Sequence, residues 1–164
     1  MSNTAAETNQ RATVTQQGSE LVITRTFAAP AALIYEVMTT PEHIRQWWGA
    51  GHGDVTVCEV DLRVGGRRHF AQVTPGGDEV SFSGEYRELD PPGRLVHTEV
   101  FDNIQSPPSL IQSTFTEQDG LTTLRAVITY DSPETVELVL ASGMEVGLND
   151  SYDALEKVAQ GLAG

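Results

Sequence analysis

The residues best suited to chemistry in this chain are His97 and Glu99, set two apart between Leu95 and Phe101. Residues two apart on a β-strand share a face, so all four project the same way. If that face is inward, an imidazole and a carboxylate stand in apolar surroundings, where they can orient one ligand and shift each other's proton affinity. They would also be the acid/base candidates of an enzyme. The opposite face, Val96, Thr98 and Val100, is equally compatible with burial and would leave His97 and Glu99 in solvent. Arg68 and His69 are neighbours and must point to opposite faces; an inward Phe70 would carry Arg68 inward and leave His69 outside. Asp61 and Arg63, just ahead of Gly65-Gly66, suit an ion pair that fixes a turn, and Cys58, between Val57 and Glu59, reads as a small buried apolar residue.

The usual catalytic signatures are missing. The chain has no phosphate-cradling glycine loop and no dinucleotide fingerprint, and His43, His52, His69 and His97 are too far apart for a zinc set, so no cofactor and no metal are expected and no catalytic residue is assigned. Ten Lys and Arg against 23 Asp and Glu leave a net charge of −13, which repels phosphate and argues against nucleic acid or an anionic membrane as partner. A single cysteine excludes an intrachain disulfide and fits a reducing compartment. No apolar run reaches the length of a membrane span and no signal-peptide pattern opens the chain, so the expected location is the cytoplasm.

The elements that must position these residues follow from periodicity and punctuation. Residues 1–18, rich in Ser, Thr, Asn, Gln and Ala, read as a mobile arm ahead of one domain over residues 19–164. Leu21 to Ala28 alternates as a first strand. Pro30 then opens a helix with Leu33, Ile34, Val37 and Met38 on its apolar face, and Thr40-Pro41-Glu42 opens a second, shorter one that carries Ile44, Trp47 and Trp48. Adjacent positions on a helix differ by about 100°, so one tryptophan should enter the core and the other lie at the surface or at a cavity mouth. Six β-like runs follow: Asp54 to Leu62, Arg67 to Thr74, Glu79 to Leu89, Arg94 to Asp102, Ser109 to Glu117 and Thr122 to Tyr130. Short links between them imply an antiparallel meander of about seven strands in all.

The chain ends on a single long helix from Ser132 to Leu162, with Ser132 as cap and Pro133 at the first position. Val136, Leu140, Met144, Leu148, Tyr152, Leu155, Val158 and Leu162 form its stripe; Glu137, Glu145, Asn149, Asp150, Asp153, Glu156, Lys157 and Gln160 form its polar face. Gly143 and Gly147 each cost about 1 kcal/mol against Ala in a helix interior, which implies close approach to the sheet or room for a ligand beside the helix.

Order and motifs together resemble the START-like (SRPBCC) superfamily with the helix-grip fold, and within it the Aha-type domains, named for similarity to an activator of the heat-shock protein 90 ATPase. The matching residues are Arg25-Thr26-Phe27-Ala28-Ala29-Pro30, Thr40-Pro41-Glu42-His43-Ile44, Trp47-Trp48-Gly49, Val60-Asp61-Leu62-Arg63-Val64-Gly65-Gly66, Phe82-Ser83-Gly84-Glu85-Tyr86, Pro92-Gly93-Arg94-Leu95-Val96 and Gly143-Met144-Glu145-Val146-Gly147. The resemblance implies an α+β fold in which a curved antiparallel sheet grips the C-terminal helix, with a cavity between them closed on one side by the two short helices.

Strand parity nominates the lining of that cavity: Val80, Phe82, Gly84 and Tyr86; Leu95, His97, Glu99 and Phe101; Ile111, Ser113 and Phe115; Leu124, Ala126 and Ile128. The expected ligand is a small hydrophobic or aromatic molecule, held by Phe70, Phe82, Tyr86, Phe101 and Phe115 on the sheet and by Met144 and Leu148 on the helix. Trp47 or Trp48 would stand at the mouth, with His97 and Glu99 as polar groups. Two alternatives stay open: an enzyme acting on a ring-containing metabolite, of cyclase or hydrolase type, and a co-chaperone-like module with a chaperone partner. An exposed edge strand is compatible with a homodimer.

Overall fold

The computed structural model describes residues 11–103 and 107–163. Eight strands form one antiparallel sheet: β1 (Thr13–Gln17), β2 (Glu20–Phe27), β3 (Asp54–Val60), β4 (Arg67–Val73), β5 (Glu79–Asp90), β6 (Arg94–Phe101), β7 (Ser109–Gln118) and β8 (Leu121–Thr129). Their spatial order is β1-β2-β8-β7-β6-β5-β4-β3, so the meander from β3 to β8 closes by pairing β8 with β2. Helices α1 (Ala31–Thr39) and α2 (Pro41–Trp47) fill the connection from β2 to β3, and α3 (Pro133–Ala141) and α4 (Met144–Ala163) end the chain. This is the expected helix-grip architecture with one strand more. Among the described residues no helix is long and apolar enough to cross a membrane.

The extra strand lies in the stretch expected to be an arm. Thr13–Gln17 pairs with Leu21 to Thr24 and Glu20 through a tight turn at Gly18, whose φ of +61° suits glycine. Its low apolar content hid it, because an edge strand needs one partner and buries little. Residues 1–10 of the expected arm lie outside the described residues.

The single long helix is the second correction. Ser132 accepts from Thr135 N and Pro133 takes the first turn as expected, but the helix stops at Ala141. Gly143 adopts φ +82° and donates to the Leu140 carbonyl, the left-handed stop that glycine provides, and Val146 N then bonds to Gly143 O as α4 begins. Gly147 does not mark close approach to the sheet: a methyl group there would meet nothing within 4 Å.

Two residues expected on the polar face of the last helix are also buried. Asn149, 3% exposed, accepts from Ala12 N through Oδ1 at 2.8 Å and so ties the start of β1 to α4. Glu156, 6% exposed, accepts from Ala28 N at 2.7 Å and faces Arg25 of β2. Burial of such groups is tolerable only when they are paired in this way.

The register settles which faces point inward. Antiparallel partners share a face. Arg25 pairs with Leu124, Phe115 with Leu124, Ser113 with Ala126, His97 with Ile111, Tyr86 with His97, Phe82 with Phe101 and Phe70 with Phe82. These residues share one face with Leu21, Ile23 and Phe27, which are 0 to 1% exposed, so this face is the inner one. A bulge between Tyr86 and Glu88 adds a residue, so Leu89 rather than Glu88 continues the inner face opposite Leu95.

Candidate functional site

The inner face changes character from one side of the sheet to the other. Along β2, β8 and β7 it is packed shut: Leu124 is 0%, Ala126 4% and Phe115 6% exposed. Toward the ends of β5 and β6 the side chains of Phe82, Phe101 and Glu99 stay half-buried, and Met144 and Leu148 on α4 are half-buried too. Phe82 and Phe101 stack with centroids 4.9 Å apart. Trp48 leans on both Phe70 and Phe82, at 5.7 and 5.9 Å. This aromatic wall is joined to a polar cluster at its inner end.

Arg68 organises the cluster. Its guanidinium lies over the Phe70 ring at 4.5 Å and 5.9 Å from the Tyr86 ring centre. Nη1 is 3.0 Å from His97 Nδ1 and 3.6 Å from Glu99 Oε2. Gly84 makes the meeting possible. It faces Arg68 across β4 and lies between the Ser83–Val100 and Tyr86–His97 pairs of β6, so no side chain separates Arg68 from Glu99. A Cβ there would also strike the Thr98 carbonyl oxygen. Gly66 holds the cluster from the other side: its carbonyl accepts from Tyr86 N at 2.9 Å, and a Cβ there would strike the Asp61 carbonyl. Asp61 and Arg63 form the expected turn-fixing ion pair at 2.8 Å.

His97 Nδ1 lies between Arg68 Nη1 at 3.0 Å, which can only donate, and the Thr98 carbonyl at 3.1 Å, which can only accept, so each tautomer of the neutral ring serves one of the two contacts. Burial, and then the Arg68 charge, hold the imidazole well below its usual range. Desolvation pushes the Glu99 carboxyl up against the pull of Arg68, an effect limited by the 32% of its side chain that stays exposed. Tyr130 is pushed up to about 12 by burial and then by the Glu99 charge. Two atoms of the cluster, Arg68 Nε and the Tyr86 hydroxyl, are buried without a hydrogen-bond partner. Each such atom costs about 1 to 3 kcal/mol.

The expected site residues thus fall into two groups. Phe70, Phe82, Tyr86, His97, Glu99, Phe101 and Trp48 come together, with Met144 and Leu148 half-buried beside the core. Trp47 and Phe115 stand elsewhere: Trp47 is 7% exposed and donates from Nε1 to the Val37 carbonyl at 2.9 Å, and Phe115 packs edge-on against Tyr35 of α1 at 5.7 Å. Cys58 is buried as expected, its Sγ near the Pro41 carbonyl. His69 faces outward, 2.9 Å from Ser81 Oγ. Arg68 is the residue that sequence reasoning left out of the site; its place opposite a glycine and two residues before an inward Phe70 was the available signal.

Two open clefts lie elsewhere, one of about 340 Å³ between α2 and the last turns of α4, the other of about 630 Å³ beside the Gly51 to Asp54 and Val73 to Gly77 segments. Neither is lined by an expected ligand-binding residue. Among the described residues no group of three or more His, Cys, Asp and Glu is placed to hold a metal ion.

Comparison with solved structures finds the same fold repeatedly. Protein Ms6760 from Mycobacterium smegmatis is 30% identical, with a TM-score of 0.81 over 90% of this chain and 96% of that one. A protein from Rhodobacter sphaeroides is 24% identical, with a TM-score of 0.85 over 93% and 99%. A protein from Staphylococcus epidermidis is 25% identical, with a TM-score of 0.79 over 90% and 93%. A search of the curated proteins gives no match. The family model described as Activator of Hsp90 ATPase homolog 1-like protein matches residues 28–160, and on that match the chain belongs to this family within the START-like superfamily.

Proposed function

We propose that this protein binds a small, mainly apolar, ring-containing molecule against Trp48, Phe82 and Phe101, between the sheet and the N-terminal end of α4. The observation that carries the reading is the unequal closure of the inner face. Large aromatic side chains bury 150 to 250 Å² each when covered, so leaving Phe82, Phe101 and Trp48 half-covered forgoes hydrophobic stabilisation that the packed side of the same sheet obtains. A ligand seated there supplies the missing cover. The open space beside Gly147 gives room at the same end of α4.

Thermal unfolding across aromatic, polyketide-like and fatty-acid compounds tests the reading. A ligand at about 100 times its dissociation constant adds roughly 2.7 kcal/mol and raises the midpoint by several degrees. Phe82→Ala should abolish a selective shift; an unchanged shift in that variant rejects the wall. Catalysis is the second reading, favoured by the raised Glu99 carboxyl beside Arg68. Turnover lost in Glu99→Gln with ligand binding retained would establish it. The co-chaperone reading rests on the family description alone, and capture of the heat-shock protein 90 chaperone by Phe82→Ala as well as by the wild type would favour it over a ligand site.

A further inference from the structure

From the donors gathered at the inner end of the aromatic wall, we infer that the ligand carries one hydrogen-bond-accepting oxygen, a neutral carbonyl, which is received by Arg68, Tyr86 and His97. The inference rests on the apolar-ligand reading and specifies the polar end of that ligand.

Three observations converge. Arg68 Nε and the Tyr86 hydroxyl are buried without partners, although Arg68 and Tyr86 lie side by side and Tyr86 is 0% exposed. The hydrogen bonds of His97 run through Nδ1 alone, and in the tautomer whose Nδ1 accepts from Arg68 the Nε2 proton is left to donate elsewhere. Tyr86 and His97 are cross-strand partners with ring centres 6.3 Å apart, so these donors belong to one neighbourhood. What they lack is an acceptor.

Glu99 decides the charge of that acceptor. With Oε2 3.6 Å from Arg68 Nη1, it already balances the guanidinium, so a ligand carboxylate would bring a second negative charge against the first. A ketone oxygen takes two or three donors without that repulsion. It also removes the cost of the unpartnered atoms, an arrangement that discriminates strongly against an analogue lacking the oxygen.

The test uses two probes of nearly equal shape, 2-acetylnaphthalene and 2-isopropenylnaphthalene, which differ by oxygen against methylene. Binding to the intact chain is followed by tryptophan fluorescence and by chemical-shift titration. The acetyl compound should bind at least fivefold more tightly, and the ratio should fall to near one in Tyr86→Phe and in Arg68→Met. Equal binding of the two probes to the wild type overturns the carbonyl inference and leaves the apolar site standing. Binding of neither overturns the apolar site and the carbonyl inference together. A ratio that stays above five in both variants also overturns the assignment of donors.

Discussion

Arg25 and Arg68 enter the same inner face from opposite sides of the sheet, and each lies over a phenylalanine two residues along its own strand, Arg25 over Phe27 at 4.9 Å and Arg68 over Phe70 at 4.5 Å. Their partners differ. Arg25, with 0% of its side chain exposed, reaches Asp153 at 3.0 Å and Glu156 at 3.4 Å and donates from Nε to the Thr26 carbonyl. It is a bolt between β2 and α4. Arg68 has one carboxylate at 3.6 Å, one imidazole, and an Nε with nothing to bond. A buried charge whose partners are complete serves the fold, whereas one left incomplete is a place where a further molecule can be accommodated.

The largest effect expected from this contrast is on stability. Arg25→Met strands Glu156 inside the protein and should cost about 3 to 5 kcal/mol in urea unfolding, whereas Arg68→Met should cost less than about 1.5 kcal/mol, because it also removes an unpartnered buried donor. Equal losses would erase the distinction between bolt and binding group. Next in size is the pair Phe27→Ala and Phe82→Ala. The first empties a fully covered position and should cost about 3 to 5 kcal/mol; the second, only half-buried, should cost about half of that or less.

Acid titration sharpens the comparison further. His97 is held well below its usual range in the folded protein, so the unfolded chain takes up its proton first. A group with a depressed folded value contributes stability above its unfolded value, near pH 6.5, and loses it as the pH falls. Stability should therefore drop by up to about 1.4 kcal/mol per unit below pH 6.5, and His97→Gln should flatten that slope between pH 6.5 and 5. An unchanged slope would mean that His97 is not held neutral. The smallest effect has the opposite sign: Gly147→Ala, in open space within a helix, should stabilise by about 1 kcal/mol.

Much of this was legible in the residues because the strands alternate cleanly. Parity alone grouped Leu95, His97, Glu99 and Phe101, and Phe82 with Tyr86, and the register confirms both sets. Parity left the sign open, since Val96 is itself buried and the outer face is apolar enough to mimic a core. The break at Gly143 was missed because an apolar spacing of three and four runs straight across it, from Leu140 to Met144 and Leu148; only the left-handed φ reveals the stop. The burial of Asn149 and Glu156 was hidden for a different reason. Their partners, Ala12 N and Arg25, lie more than 100 residues away, and pairing at that separation leaves no local pattern. The inward parity of Arg25 with Leu21, Ile23 and Phe27 was the one hint that an acid must meet it.

The most direct measurement is a two-dimensional NMR titration of the whole chain with 2-acetylnaphthalene, followed at the side chains of both halves of the inner face. The account predicts saturating shifts at Trp48, Phe82, Phe101 and Leu148, with Phe27, Leu124 and Ala126 still. Shifts confined to the outer face, at His69 and Ser81, or spread evenly over both halves of the core, would contradict it.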